Sequence, residues 1–277
     1  LGSGSDAWKY WDERRAGNIS DEEWVGAEGG IARSYGHCMT MGTASTMALM
    51  SEAMGMMLPG GAAIPAVLSD RLRHAEATGT RAVALAKNQM KPSDFITQDN
   101  VDNALRTLQA IGGSTNGIVH MAAIAGRLGL DASLARLDDI GKETPMLVDL
   151  KPAGSNYMED LHKAGGLAPI LREISDLLVL DAKSISGATL GEDLDAAPAP
   201  WPQDIVRPSS NPLAASEGMI ALYGSLAPNG AVLKKAAASE ALSTHEGRAV
   251  VFKNLEDLAE RIDSDDLDVV ADDILVL

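Results

Sequence analysis

The stretch CMTMGTASTMALMSEAMGMMLPGG, residues 38–61, places a cysteine just before a glycine turn and a long helix-forming run. Small residues and methionines over residues 43–57 predict a buried helix, and Pro59 predicts its end, because proline cannot donate to the helical hydrogen-bond ladder. Cys38 is the only cysteine of the 277-residue sequence, and Gly42 follows it closely. A thiol kept for packing alone would more naturally lie among aliphatic residues.

Three interpretations of Cys38 remain open from the residues alone. A free buried thiol is common, because cysteine behaves as a small hydrophobic residue. A nucleophile needs a nearby base, and His37 is adjacent, but neighbouring side chains usually diverge. A metal ligand is favoured by the flanking glycines, which let a cluster approach the backbone. Because one cysteine cannot complete a cluster site, these residues by themselves favour the buried thiol.

Composition excludes several classes of partner. Lys and Arg number 23 against 39 Asp and Glu, which gives a formal charge of −16 and repels phosphate backbones and anionic membranes. Aromatic residues make up 4%, which leaves few surfaces for base stacking. No apolar run reaches membrane-spanning length. We therefore expect no nucleic acid and no membrane as partner, and a cytoplasmic location.

The pattern predicts an α/β fold whose first domain, residues 1–180, is mostly helical. A capping box is expected at Ser20 and Glu23, and Thr97 is expected to cap a helix that ends before the Gly112-Gly113 pair. The predicted helices cover residues 43–57, 65–87, 98–111, 116–127, 159–163 and 169–178, with a short strand at 146–150.

From residue 181 to 277 the sequence predicts part of a β-barrel-like domain. Five prolines between residues 196 and 212 indicate a connecting loop. Short apolar segments separated by turns then predict strands, and Asn254 is expected to cap a helix before a last strand, ILVL, at 274–277. Both ends of the chain look cut, so we expect a section of a longer protein.

Several long motifs in collinear order resemble the family of dihydroxy-acid and sugar-acid dehydratases. They are GHCMTMGTASTMALMSEAMGMMLPGGAAIPA at 36–66, AIGGSTNGIVHMAAIAGRLG at 110–129, LVDLKPAGSNYMEDLHKAGGLAPIL at 147–171 and DAKSISGATLGEDL at 181–194, followed by IVRPSSNPL, GSLAPNGAVLK and EGRAVVFKN. The run TMGTASTM is closer to the aldonic acid dehydratases, such as arabinonate or xylonate dehydratase, than to the branched-chain amino-acid branch.

The resemblance implies a hydro-lyase that converts a 2,3-dihydroxy sugar acid into a 2-keto-3-deoxy acid. It also implies a 2Fe–2S cluster held by three cysteines, of which Cys38 matches the last, and a Mg²⁺ ion whose site draws on residues outside this chain. The base of the family would follow Leu277, so no catalytic residue is assigned within the chain. The resemblance thus implies that Cys38 is a metal ligand. We also expect a homo-oligomer, dimer or tetramer.

The GGSTN segment is a glycine turn that enters a helix, and such a terminus can hold a carboxylate. A plain interhelix turn with capping residues is the simpler interpretation of these residue types. With the resemblance, Ser114, Thr115 and Asn116 are predicted to bind substrate. The alternatives to a sugar-acid dehydratase are a dihydroxy-acid dehydratase of branched-chain amino-acid synthesis and a non-catalytic fragment of either enzyme.

Overall fold

The computed structural model describes residues 4–31, 38–199 and 201–277, and divides into two compact units, Leu1–Ala237 and Ala238–Leu277. Helices dominate the first unit. They are α1 (Gly4–Arg15), α2 (Asp21–Ile31), α3 (Thr43–Ala53), α4 (Ser69–Lys87), α5 (Gln98–Ala110), α6 (Asn116–Arg127), α7 (Leu134–Glu143), α8 (Met158–Lys163), α9 (Ala168–Glu173) and α10 (Leu190–Ala196).

Helix α5 is the central element of the first unit, because it packs against α3, α6 and α7. Val101, Leu105 and Leu108 on α5 are completely or almost completely buried, and they form one apolar core with α3 and α6. Burial of such side chains contributes roughly 1.5–3 kcal/mol each. A second core lies on the other side of α3, around Leu49 and Leu161.

Buried amide side chains of α5 hold irregular segments in place. Asn103 donates from Nδ2 to the carbonyl of Val179 at 3.0 Å and accepts from the amide of Val179 at 2.9 Å. Gln109 makes the same reciprocal pair with Met219, at 3.0 and 2.8 Å. Each pair satisfies backbone groups that burial would otherwise leave unpaired.

Short strands complete the fold. In the first unit β1 (Ile220–Leu222) pairs antiparallel with β2 (Ala231–Leu233). In the second unit β3 (Ala249–Val251) pairs in parallel with β4 (Ile274–Val276), and α11 (Leu255–Arg261) connects them. The Asn254 side chain caps α11 by accepting from the amide of Asp257 at 2.9 Å.

The predicted α/β class and its helical first part are confirmed. Over the described residues the two small sheets do not close a barrel, so the barrel-like domain and the boundary near residue 180 stay predictions. Among the same residues, none of the helices is both long and apolar enough to cross a membrane.

Several predicted boundaries were wrong. Helix α3 ends at Ala53 and not at residue 57. Gly55 adopts a φ of 79°, and a Cβ there would lie 2.8 Å from the carbonyl oxygen of Lys183. The chain therefore turns where its backbone passes close to the backbone of Lys183. Helix α4 begins at Ser69, four residues after the predicted start at residue 65.

Candidate functional site

Cys38 lies exposed at the start of a tight turn before α3. Its Sγ is 3.4 Å from the carbonyl oxygen of Thr40, to which the thiol donates, and 3.7 Å from Thr40 Oγ1. The interpretation as a buried packing thiol is therefore wrong. An exposed thiol held in a short turn has the access that a nucleophile or a metal ligand needs.

The cysteine turn is fixed by main-chain hydrogen bonds to one neighbouring segment. The amide of Met41 donates to the carbonyl of Lys151 at 2.8 Å, and the amide of Met158 donates to the carbonyl of Met39 at 2.9 Å. The side chains of Met39 and Met41 are buried. Met39 and Met41 occupy alternate positions of the turn and point into the protein. The side chain of Cys38 therefore points outward.

The hydroxyl of Thr43, in the first turn of α3, is a second polar group near Cys38. The N-cap of this helix is Gly42, which has no side chain to donate or accept, so Thr43 does not cap α3. The Thr43 hydroxyl instead interacts with residues at the start of α6. Its Oγ1 accepts from Asn116 Nδ2 at 2.7 Å and lies 3.5 Å from Ser114 Oγ.

The start of α6 thus meets the start of α3. The amide of Ser114 donates to Thr46 Oγ1 at 2.9 Å. Gly113 permits this approach, because a Cβ there would lie 2.8 Å from Thr46 Cγ2. Thr115 is exposed between Ser114 and Asn116. The structure therefore brings Ser114 and Asn116 into contact with the helix that follows Cys38, with Thr115 between them in the sequence.

A small cavity of about 150 Å³ lies beside the thiol. Cys38, Ser45 and Ala48 line one part of it, and Gly61 and Arg71 line another. The Arg71 guanidinium donates to the Gly61 carbonyl at 3.2 Å and also to the carbonyl of Ile64. The cavity combines a thiol, a hydroxyl and a cation. Sequence reasoning missed Arg71, because nothing in the pattern of α4 distinguishes it from a surface arginine.

A larger cleft of about 640 Å³ lies on another side of the 58–64 segment. Glu52, Asp70, His162 and Asp193 are among its polar lining residues. Burial lowers the pKa of His162 below its ordinary value. The cleft and the Cys38 cavity share a wall, the 58–64 segment, which contributes Gly60 to the cleft and Gly61 to the cavity.

Among the residues described above, Cys38 fits as one ligand of a metal centre. Cys38 supplies one soft thiolate, which suits iron in a sulfur cluster. Over the described ranges, no group of three or more His, Cys, Asp or Glu side chains is arranged to hold a metal ion. Cys38 therefore fits as one ligand of a cluster, whereas a Mg²⁺ site, which needs several oxygen ligands, is not formed by these residues.

Comparison with known proteins decides the family. Residues 2–193 match the profile of the dihydroxy-acid/6-phosphogluconate dehydratase N-terminal region, and residues 204–277 match that of the C-terminal region. The chain belongs to this dehydratase family. The predicted resemblance is confirmed, and the two matched regions follow each other in the order of the family.

Named relatives include both branches of the family. L-arabinonate dehydratase of Rhizobium leguminosarum bv. trifolii is 44% identical over 279 residues, covering 100% of this chain and 48% of that protein. 6-Deoxy-6-sulfo-D-gluconate dehydratase of Pseudomonas putida is 40% identical, with the same coverage. Dihydroxy-acid dehydratase of Caldicellulosiruptor saccharolyticus is 41% identical over 249 residues, covering 89% of this chain and 45% of that protein. The chain spans about half the length of the curated relatives it matches.

Proposed function

We propose that this chain is part of a hydro-lyase that removes water from a 2,3-dihydroxy sugar acid, such as a pentonate or hexonate, to give a 2-keto-3-deoxy acid. The observation that carries the proposal is the match of the whole chain, at 44% and 40% identity, to relatives named for arabinonate and sulfogluconate dehydration. A homo-oligomer, dimer or tetramer, in the cytoplasm is part of the same proposal.

Cys38 is proposed as one of the thiolate ligands of a 2Fe–2S cluster. When bound, such a cluster supplies a Lewis acid for the departure of hydroxide, which is otherwise a poor leaving group. Two observations support this role: the thiol is exposed, and the neighbouring methionines of its turn are buried. The sulfur therefore points outward and is not packed in the core. The further thiolates, the Mg²⁺ ligands and the catalytic base are proposed to come from residues outside this chain.

Ser114, Thr115 and Asn116 are proposed to bind the sugar acid. Thr43 and Ser114 bring two hydroxyl oxygens within 3.5 Å of each other, and Asn116 adds an amide 2.7 Å from one of them. Such groups can hydrogen-bond the hydroxyls of a polyol chain. The start of the 12-residue helix α6 adds a positive dipole end, which favours an anionic carboxylate.

The main alternative is dihydroxy-acid dehydratase of branched-chain amino-acid synthesis, which the 41% identity to the Caldicellulosiruptor enzyme favours. The two functions differ in the part of the pocket that holds the substrate tail: a polyol needs hydrogen-bonding groups and a short branched chain needs apolar ones. Assay of a full-length protein that contains this sequence on arabinonate, xylonate and 2,3-dihydroxyisovalerate separates them. We expect turnover of a sugar acid; turnover of dihydroxyisovalerate alone would refute the proposal.

A non-catalytic fragment is the second alternative, and the coverage of about half of each relative favours it. Anaerobic reconstitution of the 277-residue chain with iron and sulfide, followed by visible absorption, tests it. We expect no stable monomeric cluster, because the chain contributes one cysteine. A stable brown monomer would show that the ligand set has been misjudged.

A further inference from the structure

Charged and titratable side chains hold the 58–64 segment, which we call the wall loop, from several directions. From α3, Glu52 accepts the amide of Gly60 on Oε1 and the amide of Ala62 on Oε2, each at 2.8 Å. The carboxylate thus receives neighbouring amides of a glycine-containing turn, which resembles the way in which backbone nests hold anions.

Two side chains of α4 hold the carbonyls of the same loop. Arg71 donates to the carbonyls of Gly61 and Ile64, and His74 Nε2 lies 3.1 Å from the carbonyl oxygen of Leu58. His74 also packs directly on Gly61, where a Cβ would lie 2.3 Å from His74 Cε1. A side chain of α3 therefore hydrogen-bonds the backbone amides of the wall loop, and side chains of α4 hydrogen-bond its backbone carbonyls.

The wall loop is also one side of the cavity that Cys38 lines. Gly61 and Ala62 contribute to that cavity, and so do Arg71 and Met57, whose Sδ would be 3.1 Å from a Cβ on Gly61. Glu52 itself lines the cleft and not the cavity. A change in the way Glu52 holds the amides therefore reaches the surroundings of Cys38 through the backbone of the wall loop.

We propose that Glu52 is a positioning residue for the Cys38 site: its carboxylate sets the wall loop, and the wall loop sets the space beside the thiol. A single acceptor in place of the carboxylate cannot hold both amides with charge-assisted bonds. The inference concerns the same site as the proposed function, but it requires neither iron nor substrate.

The electrostatic setting makes this positioning dependent on pH. Burial, with a smaller contribution from the negative charge of Asp193, raises the pKa of Glu52 to about 7. The hydrogen bonds from the loop amides act in the opposite direction and lower it. The other ionisable groups on the cleft are Asp70 of α4 and the pair His162 and Lys163 of α8. Protonation removes the charge from the bonds to Gly60 and Ala62, so the hold on the wall loop weakens as the pH falls through 7.

The test is an NMR titration of the 277-residue chain from pH 5.5 to 8. The amide signals of Gly60 and Ala62 report the loop, and the methyl signals of Met57 and Ala48 report the cavity. We expect both sets to titrate with one midpoint near 7, and Glu52→Gln to abolish that midpoint in both. Glu192→Gln is the matched control, because the Glu192 carboxylate accepts a backbone amide, that of Thr189 just before α10, at 2.8 Å. This variant should retain the midpoint.

Two further variants keep the outcome decisive. His74 contacts the same loop, so His74→Gln should leave a midpoint near 7 if Glu52 is its source. Should Glu52→Gln fail to fold, Glu52→Asp keeps a carboxylate on a shorter side chain, and the midpoint should shift in the loop and cavity signals together. Cavity methyls that stay flat while the loop amides titrate, or a midpoint unchanged in Glu52→Gln or Glu52→Asp, would overturn the proposal.

Discussion

Asn116 Nδ2 donates a 2.7 Å hydrogen bond to Thr43 Oγ1, which joins the first turn of α6 to the first turn of α3. Thr43 is five residues after Cys38, whereas Asn116 is distant in sequence. This bond places the predicted substrate-binding segment against the helix that begins at the cysteine turn. Because the partners are exposed or half-buried, their remaining donors and acceptors can reach a ligand.

Thr43→Val should disconnect the two helix starts while keeping the side-chain shape. We expect the free energy of unfolding to fall by about 1 kcal/mol, because the Asn116 amide loses an acceptor but retains access to water. In a full-length protein we expect KM for the sugar acid to rise more than kcat falls. Denaturant unfolding and steady-state kinetics measure the two effects. Thr80→Val, on the exposed face of α4, is the control; an equal effect there would contradict the assignment.

Gly113→Ala should separate α6 from α3. The new Cβ would lie 2.7 Å from Leu108 Cδ1 and 2.8 Å from Thr46 Cγ2, and overpacking of this kind costs about 1–3 kcal/mol. Gly126→Ala is the matched control within α6, because nothing lies within 4 Å of its Cβ position. That variant should gain up to about 1 kcal/mol from helix propensity. Thermal unfolding of the two variants should therefore shift in opposite directions, and shifts of the same sign would refute the packing argument.

Asn103→Ala should be among the more damaging single changes in α5. The Asn103 side chain is completely buried, and both of its polar ends are bonded to Val179. Truncation leaves a buried amide and a buried carbonyl of Val179 unpaired, at a cost of about 1–3 kcal/mol for each group. Gln98→Ala, at the half-buried start of the same helix, should cost less, because the Asp131 amide and carbonyl that the Gln98 side chain bonds belong to an exposed residue and can bond water instead. Equal losses of unfolding free energy for the two variants would contradict the account.

Stability should depend on pH through Glu52. Its pKa is 4.5 ordinarily and about 7 in the folded protein, so between these values the folded state holds a proton that the unfolded state has released. Stability contributed by this group is therefore present at low pH and is lost as the pH rises from the ordinary pKa through the folded one, by up to about 3 kcal/mol in total. The difference in unfolding free energy between the unaltered chain and Glu52→Gln, measured from pH 4 to 8, isolates this slope. A difference independent of pH would contradict the raised pKa.

Local signals predicted the helix starts that depend on neighbouring residues. The capping box of Ser20 and Glu23 and the Asn254 cap form as expected, because each uses an amide three residues away. Thr97 takes the N-cap position of α5 as predicted, but its amide and its hydroxyl both donate to Asn100 Oδ1, at 2.9 and 3.0 Å. The box formed by Thr189 and Glu192 at the start of α10 carried the same signal and was missed.

Tertiary contacts explain what the sequence left unpredicted. The early end of α3 depends on Gly55 meeting the backbone near Lys183, far along the chain. Motif resemblance led to the prediction of Cys38 and the 114–116 segment as site residues, but it did not point to Glu52 or Arg71. Their roles depend on the path of the wall loop between them, which no local pattern of charge or hydrophobicity specifies.

The proposed function requires the Cys38 thiolate to hold an iron–sulfur cluster that serves dehydration. The most direct measurement is the iron content, visible absorption and sugar-acid turnover of a full-length protein carrying Cys38→Ala, beside the unaltered protein, both purified without oxygen. We expect the substitution to remove the cluster absorption and the turnover while the far-UV circular dichroism stays unchanged. Undiminished absorption and turnover in the alanine variant would contradict it.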